Sequence, residues 1–431
     1  AGAATAAARR TSREVRLAHR PCGLAPGTSP AAAGRTRRQT RPPARPVHPR
    51  AARHPMMDTG PSATAPGRAG VLNEEKPMPE TAAPLRLEAT ATCRPAGIPA
   101  AAAEAERRGI DRFTLSETSY DPFLQLARAA DRTEEIELAT GVAIAFARTP
   151  MSLAYEAWGV HEASGGRAVV GLGSQVKPHV VRRFGMPWDS PAARMTEYVA
   201  ALRAIWHSWQ TGERLAFRGD FYSHTLMTPV FAPEPVAAGT PPILLAGVGP
   251  LMVRAAGAVA DGLICHPFSS VRHLTGTVLP AVRAARAAAE AAAEPWTSRP
   301  FEVVGAVLTA TGRTEEELAD SVRGVRERIA FYASTPAYRP VLEAHGWGAL
   351  HDELHPLSVR GRWKEMGDLI DDEVFAAFAV AGEPAEAARE IHRRYTGVVT
   401  RLSVHGPDGA AAEPLLDVLG AVRELDGAAT T

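Results

Sequence analysis

Residues 241–262 read PPILLAGVGPLMVRAAGAVADG, and the parsing of this stretch decides the fold. Ile243, Leu244, Leu245 and Ala246 form a short apolar run, the pattern of a strand buried on both faces. Gly247 and Gly249 follow, which permits a tight turn and a close backbone approach to a ligand. Pro250 suits a first helical position, and the pattern predicts a helix to Val259. A further strand opens at Asp261. A helix N-terminus behind two glycines presents unpaired N–H groups along the helix dipole. It is either a cradle for an anionic group such as a phosphate or an ordinary strand-to-helix turn. The dinucleotide fingerprint needs a third glycine where Met252 stands, which argues against a Rossmann domain.

The same alternation runs outward in both directions. Strands are expected at 85–92, 111–116, 136–144 and 168–172 upstream, and at 261–265, 302–310 and 398–404 downstream. Helices are expected between them at 98–108, 122–131, 150–163, 192–210, 279–294, 314–333 and 384–395. In 192–210, Tyr198, Leu202, Ile205 and Trp209 recur at helical spacing on one apolar face, so Trp206 and Trp209 are expected in the core. Thr314 and the acids after it suit a helix start. Residues 213–235, with Arg218-Gly219-Asp220 as a hairpin turn, break the alternation, as do residues 335–372. Residues 411–431 are a C-terminal helix and tail. Eight strands alternating with helices over residues 85–410 predict an α/β fold, a (β/α)8 TIM barrel with two insertions.

Charge is unevenly spread. Residues 1–55 hold twelve Arg and one acid, a net of +11 against +1 for the whole chain, so the remainder carries −10. An acidic body argues against nucleic acid as the main partner. Residues 1–84 are rich in Ala, Arg, Pro and Gly and poor in large apolar side chains, the composition of a disordered tail. They lack the apolar core of a secretory signal. Translation from Met56, Met57 or Met78 would remove most of this tail. Cys22, Cys93 and Cys265 are far apart and match neither a disulfide framework nor a zinc pattern, so no metal is expected and the thiols read as reduced, as in the cytoplasm. No apolar run approaches the roughly 18 residues of a membrane span.

In a barrel of this kind the chemistry sits at the C-terminal ends of the strands. The residues there are Ser116-Glu117-Thr118, Thr140-Gly141-Val142, Gly173-Ser174-Gln175, Ala246-Gly247-Val248-Gly249 and His266. Ser174 and Gln175 can hydrogen-bond a polar ring edge or sugar-like hydroxyls, or simply cap their loop. Glu117 is the first acid/base candidate, because a carboxylic acid partly buried in a barrel mouth has a raised pKa. His266 is the second, either as a neutral proton carrier or as a structural histidine. His161, inside a helix, reads as structural. Lys177 and His179 read as solvated.

Taken in order, these pieces resemble the bacterial luciferase-like superfamily, and more closely its branch dependent on coenzyme F-420, an 8-hydroxy-5-deazaflavin. The resemblance rests on Gly109-Ile110-Asp111, Glu117 and Asp121-Pro122-Phe123; on Ala139-Thr140-Gly141-Val142 and Pro150; and on Ser164-Gly165-Gly166-Arg167 with Gly171-Leu172-Gly173-Ser174. It continues through Arg183-Phe184-Gly185, residues 217–222 and Ala246-Gly247-Val248-Gly249-Pro250, to Ala260-Asp261-Gly262. Leu251 stands where such members often carry Arg. The resemblance implies a bulge with a non-proline cis peptide at Gly141–Val142, behind the cofactor's central ring. It implies Thr140, Gly141, Val142, Gly173, Ser174, Gln175, Ala246, Gly247, Val248 and Gly249 as cofactor-binding residues, with Glu117 and His266 catalytic. The implied activity is hydride transfer between the deazaflavin and a small organic substrate, in a homodimer. An FMN-dependent monooxygenase is the alternative on the same barrel, and a flavin-binding barrel without turnover is a third.

Overall fold

In the computed structural model, eight parallel strands close into a ring, β1 Arg86–Ala91, β2 Arg112–Leu115, β3 Glu137–Ile144, β4 Ala168–Gly173, β5 Ile243–Ala246, β6 Gly262–Ile264, β7 Glu302–Ala310 and β8 Arg401–His405. Each strand pairs with the next in sequence, and β8 closes on β1 with Arg401 beside Arg86. The fold is the expected TIM barrel. The structure describes residues 84–91, 94–407 and 413–429. The predicted tail up to residue 83, with Met56, Met57 and Met78, and both Cys22 and Cys93 lie outside them.

Helices α1 Ile98–Arg107, α2 Pro122–Ala130, α3 Pro150–Ala163, α4 Pro191–Thr211, α5 Pro250–Val259 and α6 Leu279–Ala291 follow the first six strands. Local chemistry sets several of their starts. Asp121 and Thr149 cap α2 and α3 by accepting from the N–H groups of Leu124 and Ser152, each with a proline next in the chain. Trp206 and Trp209 of α4 are buried as expected. His161 is buried against the Gly239 carbonyl, a structural role. The predicted hairpin pairs residues 217–218 with 223–224, and the Glu197 carboxylate accepts from the N–H groups of Asp220, Phe221 and Tyr222 at its turn.

The floor of the barrel is ionic. Arg112 and Arg401, both fully buried, share Glu137 and Glu302 between them at 2.5–3.2 Å, with Glu88 alongside at 3.5 Å. Burial pushes the Glu88 carboxyl up, against the pull of Arg112 and Arg401. Burial would raise Glu302 as well, but the two guanidiniums beside it bring it below its ordinary value.

The seventh repeat departs from the sequence reading. Helix α7 Glu315–Ala333 starts as expected, with Thr314 accepting from the Glu317 N–H and three acids in its first turn. It is not the barrel's seventh helix. Its apolar residues Val325, Ile329, Ala330 and Ala333 belong to a second core with Leu342, Leu354, Met366 and Phe375, which also takes in Phe268, Leu308 and Ala310 from the ends of β6 and β7. A short strand, Ala379–Ala381, pairs in parallel with Leu308–Ala310 and ends this excursion. Helix α8 Pro384–Tyr395 then returns the chain to β8. The insertion thus spans 311–378 and starts earlier than 335, because an amphipathic pattern does not say which surface its apolar face meets. Helix α9 Glu413–Ala429 packs on α8 and ties down the start of β1, where the Leu85 N–H donates to the Asp426 carboxylate. No described helix is long and apolar enough to cross a membrane.

Candidate functional site at the barrel mouth

Glu117, Gly173, Ser174, Gln175, Ala246, Gly247, Val248, Gly249 and His266 stand at or just past C-terminal strand ends of one ring, whereas Thr140, Gly141 and Val142 lie within β3, with Thr140 buried. The β3 side is built mainly from backbone. The pairing of β3 with β4 shifts register between Thr140 and Ala143, and the Gly141–Val142 peptide within this bulge is cis. Two groups from the end of β2 grip it. Ser116 Oγ donates to the Gly141 carbonyl at 2.6 Å, and the Glu117 N–H donates to the Val142 carbonyl at 3.1 Å. On β4, a Cβ at Gly171 would overlap the Thr140 carbonyl oxygen, and one at Gly173 would sit 2.7 Å from Val142 Cγ2. Glycine is needed at both places by the closeness of the bulge.

Glu117 is tied into this assembly. One carboxylate oxygen accepts from the Ile144 N–H at 2.7 Å, and the Arg148 guanidinium reaches both oxygens at 2.9 and 3.0 Å. Arg148 also pairs with Asp121 at 3.0 Å and Glu156 at 3.2 Å. Hydrogen bonds between a guanidinium fork and a carboxylate are among the stronger side-chain contacts. Glu117 and Arg148 thus form a clamp joining the ends of β2 and β3. Arg148 was not singled out in the sequence; its only local signal is a lone charge in the apolar run before Thr149.

At the end of β4, Ser174 Oγ donates to the Gln175 carbonyl, and Gln175 Oε1 accepts from the Val176 N–H. Gln175 sits at φ 59°, so part of its polar capacity goes to its own turn. Gly247 packs tightly, a Cβ there lying 3.2 Å from Leu263 and Val253, whereas Gly249 has open space on its Cβ side. Gly249 is also the N-cap of α5, which has no side-chain cap. No side chain caps the first N–H groups of α5, which an anion cradle would need free. Lys177 and His179 are exposed.

The opposite side carries aromatic and imidazole groups. His266 Nδ1 accepts from the Phe268 N–H at 3.0 Å, and Nε2 meets the Tyr338 hydroxyl at 3.0 Å. The Tyr338 ring stacks on the imidazole at 4.5 Å, and Tyr332 meets it edge-on at 4.7 Å. Burial, helped by nearby His405 and Arg328, drives His266 down to about 3. Burial and Arg328 bring His405, at the end of β8, down to about 4. Both imidazoles are neutral at pH 7. Burial pushes the Tyr338 phenol up to about 12. Tyr332, Tyr338 and His405 were not singled out in the sequence, Tyr332 because it falls in the expected barrel helix 314–333 and Tyr338 because no motif marks it within the expected insertion 335–372. Among the described residues, no group of three or more His, Cys, Asp or Glu side chains could hold a metal ion.

The family described as luciferase-like monooxygenase matches residues 72–401. An uncharacterized protein of Mycobacterium tuberculosis is 48% identical over 304 residues, spanning 70% of this chain and 87% of its own length. The F-420-dependent glucose-6-phosphate dehydrogenase of Intrasporangium calvum is 27% identical over 342 residues, 74% of this chain and 93% of its own. Among solved structures, the coenzyme F-420-dependent tetrahydromethanopterin reductase of Methanopyrus kandleri superposes with a TM-score of 0.62 at 19% identity, covering 79% of this chain and 98% of that one. The oxygenating constituent of 3,6-diketocamphane monooxygenase from Pseudomonas putida, in complex with FMN, superposes with a TM-score of 0.51 at 17% identity, covering 78% and 93%. These last two likenesses concern the fold.

Proposed function

Because the chain belongs to the luciferase-like monooxygenase family, whose members are oxidoreductases or monooxygenases, we propose that it transfers a hydride between a deazaflavin of the coenzyme F-420 type and a small organic substrate. The observation that carries this reading is the division of the mouth. A glycine bulge gripped through its carbonyls stands on one side, and neutral imidazole and phenol groups stand on the other. The F-420-dependent relative aligned over most of both chains supports the choice of cofactor.

The residues fit such a group. Gly141 and Val142 would back its ring plane, Gly173, Ser174 and Ala246 would border it, and Gly249 with the open start of α5 would take its phosphate. When bound, a deazaflavin supplies two-electron hydride chemistry with little reactivity toward oxygen. The protein supplies orientation, exclusion of water and a proton. Ser116 and Glu117 hold the bulge. Arg148 holds Glu117. His266 keeps the opposite side neutral and hydrogen-bonded. The assembly we propose is the homodimer, and a sedimentation mass equal to one chain of 45.7 kDa would exclude it.

The test is a titration of cofactor-free protein with F-420 and, separately, FMN, followed by tryptophan fluorescence. Saturable quenching by F-420 at micromolar or lower concentration is expected. Tight FMN binding with no deazaflavin response would replace this reading with the monooxygenase. Tight binding of either cofactor without turnover on any substrate would favour the non-catalytic barrel.

A further inference from the structure

We infer that Tyr338, carried into the mouth by the 311–378 insertion, is a catalytic proton donor to the oxygen of a carbonyl substrate, and that the protein interconverts a ketone or aldehyde with its alcohol. The inference rests on the hydride-transfer reading above. It follows from where the hydrogens must lie. His266 Nδ1 accepts from the Phe268 N–H, so in the neutral ring the proton sits on Nε2. Nε2 therefore donates to Tyr338 Oη at 3.0 Å. A phenol oxygen that accepts from an imidazole turns its own hydrogen elsewhere. Tyr338 is only half-buried, and that hydrogen is left for a ligand.

The position is suitable. In a ring of eight, β3 and β7 lie opposite each other. The ends of β6 and β8 flank β7, so His266 and His405 face the Gly141–Val142 bulge across the opening. A substrate between ring and phenol would meet the cofactor on one side and the Tyr338 O–H on the other. Glu117, the acid expected from the sequence, is occupied by Arg148.

A bound reduced deazaflavin would supply a hydride, with its electron pair, to the carbonyl carbon and would itself end oxidised. The C=O π pair moves to oxygen, and the Tyr338 O–H proton goes to that oxygen to complete the alcohol. The phenolate left behind accepts from His266 Nε2–H and regains its proton from water. A phenol O–H can hydrogen-bond a carbonyl lone pair before the hydride arrives and then protonate the developing alkoxide, whereas an alkene carbon offers no lone pair, which points to carbonyl compounds as the substrate class.

Two measurements test this. The first compares wild type with Tyr338→Phe, which keeps the ring stack on His266, using reduced F-420 and a panel of acetone, cyclohexanone, benzaldehyde, an enone and a cyclic imine. Wild type should reduce members of the carbonyl set. Tyr338→Phe should bind F-420 with unchanged affinity and lose about 100-fold or more in kcat, the usual size of a general-acid contribution. A Tyr338→Phe enzyme within threefold of wild type would overturn the role. Reduction of only the C=C or C=N probes would overturn the substrate class. The second measurement needs neither cofactor nor a change at Tyr338. Nitrogen-15 spectra of the cofactor-free protein should show one imidazole, lost in His266→Gln, that is neutral at pH 6 with its proton on Nε2. A proton on Nδ1, or a charged ring at that pH, would overturn the proton arrangement. Failure of wild type to bind F-420 at all sinks the hydride-transfer reading and the substrate class with it, while the imidazole signal still decides where the protons lie.

Discussion

The two sides of the barrel mouth solve different problems with different atoms. On the β3 side, positions are fixed by main-chain carbonyls, glycines and one carboxylate held between Ile144 and Arg148. On the β6–β8 side they are fixed by rings, with Tyr338 stacked on His266, Tyr332 edge-on to it and His405 nearby. The first arrangement is rigid and leaves charge fully paired. The second is neutral and leaves a hydrogen available. The hydride transfer proposed above would use both, a fixed platform for a large ring and an uncharged donor that does not compete electrostatically with the reacting atoms.

The comparison breaks first at Arg148. Replacing it by Leu leaves the nearly buried Glu117 carboxylate with only the Ile144 N–H. We expect a loss of about 3 kcal/mol in unfolding free energy, together with weaker cofactor binding. Glu117→Gln should cost less, about 1 kcal/mol, because an amide oxygen still accepts from Ile144 and one Arg148 contact survives. Denaturant melts of both proteins check the order. If Glu117→Gln kept full stability and cofactor affinity but lost kcat, Glu117 would be the proton donor after all and the two sides would exchange roles. Next in size is Gly171→Ala. Its Cβ falls on the Thr140 carbonyl, a backbone atom that cannot swing aside, so about 2 kcal/mol of destabilisation is expected. A denaturation midpoint equal to wild type would show that β3 and β4 are less tightly set than described.

What the sequence made legible follows the same division. The β3 side was readable because backbone needs leave glycines behind, with Gly141 and Gly171 inside β3 and β4 and Gly173, Gly247 and Gly249 at or past strand ends. The eight strands were readable for a related reason, since parallel strands buried on both faces spell themselves as short apolar runs. The β6–β8 side was not readable beyond His266. Tyr338 lies 72 residues further along the chain, in a helical layer whose amphipathic pattern fits a barrel helix as well as a roof. Glu117 was found, but its partner was not. That partner is Arg148, which lies 31 positions away in sequence and joins it only once β2 and β3 are side by side.

The neutral side should reveal itself in acid. The folded values of His266 and His405, about 3 and about 4, lie below the ordinary imidazole value near 6.5. Between these limits the unfolded chain binds more protons than the folded one, so stability rises with pH across the window and is lost as pH falls below about 6.5. Each such imidazole contributes a slope of at most about 1.4 kcal/mol per pH unit. Urea melts at pH 6.5, 5.5 and 4.5 should show wild type weakening steadily and His266→Gln weakening less, by up to about one proton's worth of slope. Parallel curves for the two proteins would mean that His266 titrates normally and that its side of the mouth is wetter than the geometry indicates.

The smallest effect is expected at the edge of the platform. Leu251 is 63% exposed in the first turn of α5, beside the open Gly249. Leu251→Arg places a cation where the helix dipole is already positive, which should cost a few tenths of a kcal/mol of stability. The same charge would stand within reach of an anion bound at the helix start, and a surface pairing of this kind is worth at most about 1 kcal/mol. The two effects oppose each other, so Leu251→Arg should melt slightly earlier without cofactor and bind F-420 about threefold more tightly, with the gain shrinking as salt rises. A gain that ignores salt would indicate a packing change. Tighter binding of cofactor fragments that lack the phosphate would place the anionic tail somewhere other than Gly249, and would detach the platform from the loop between β5 and α5.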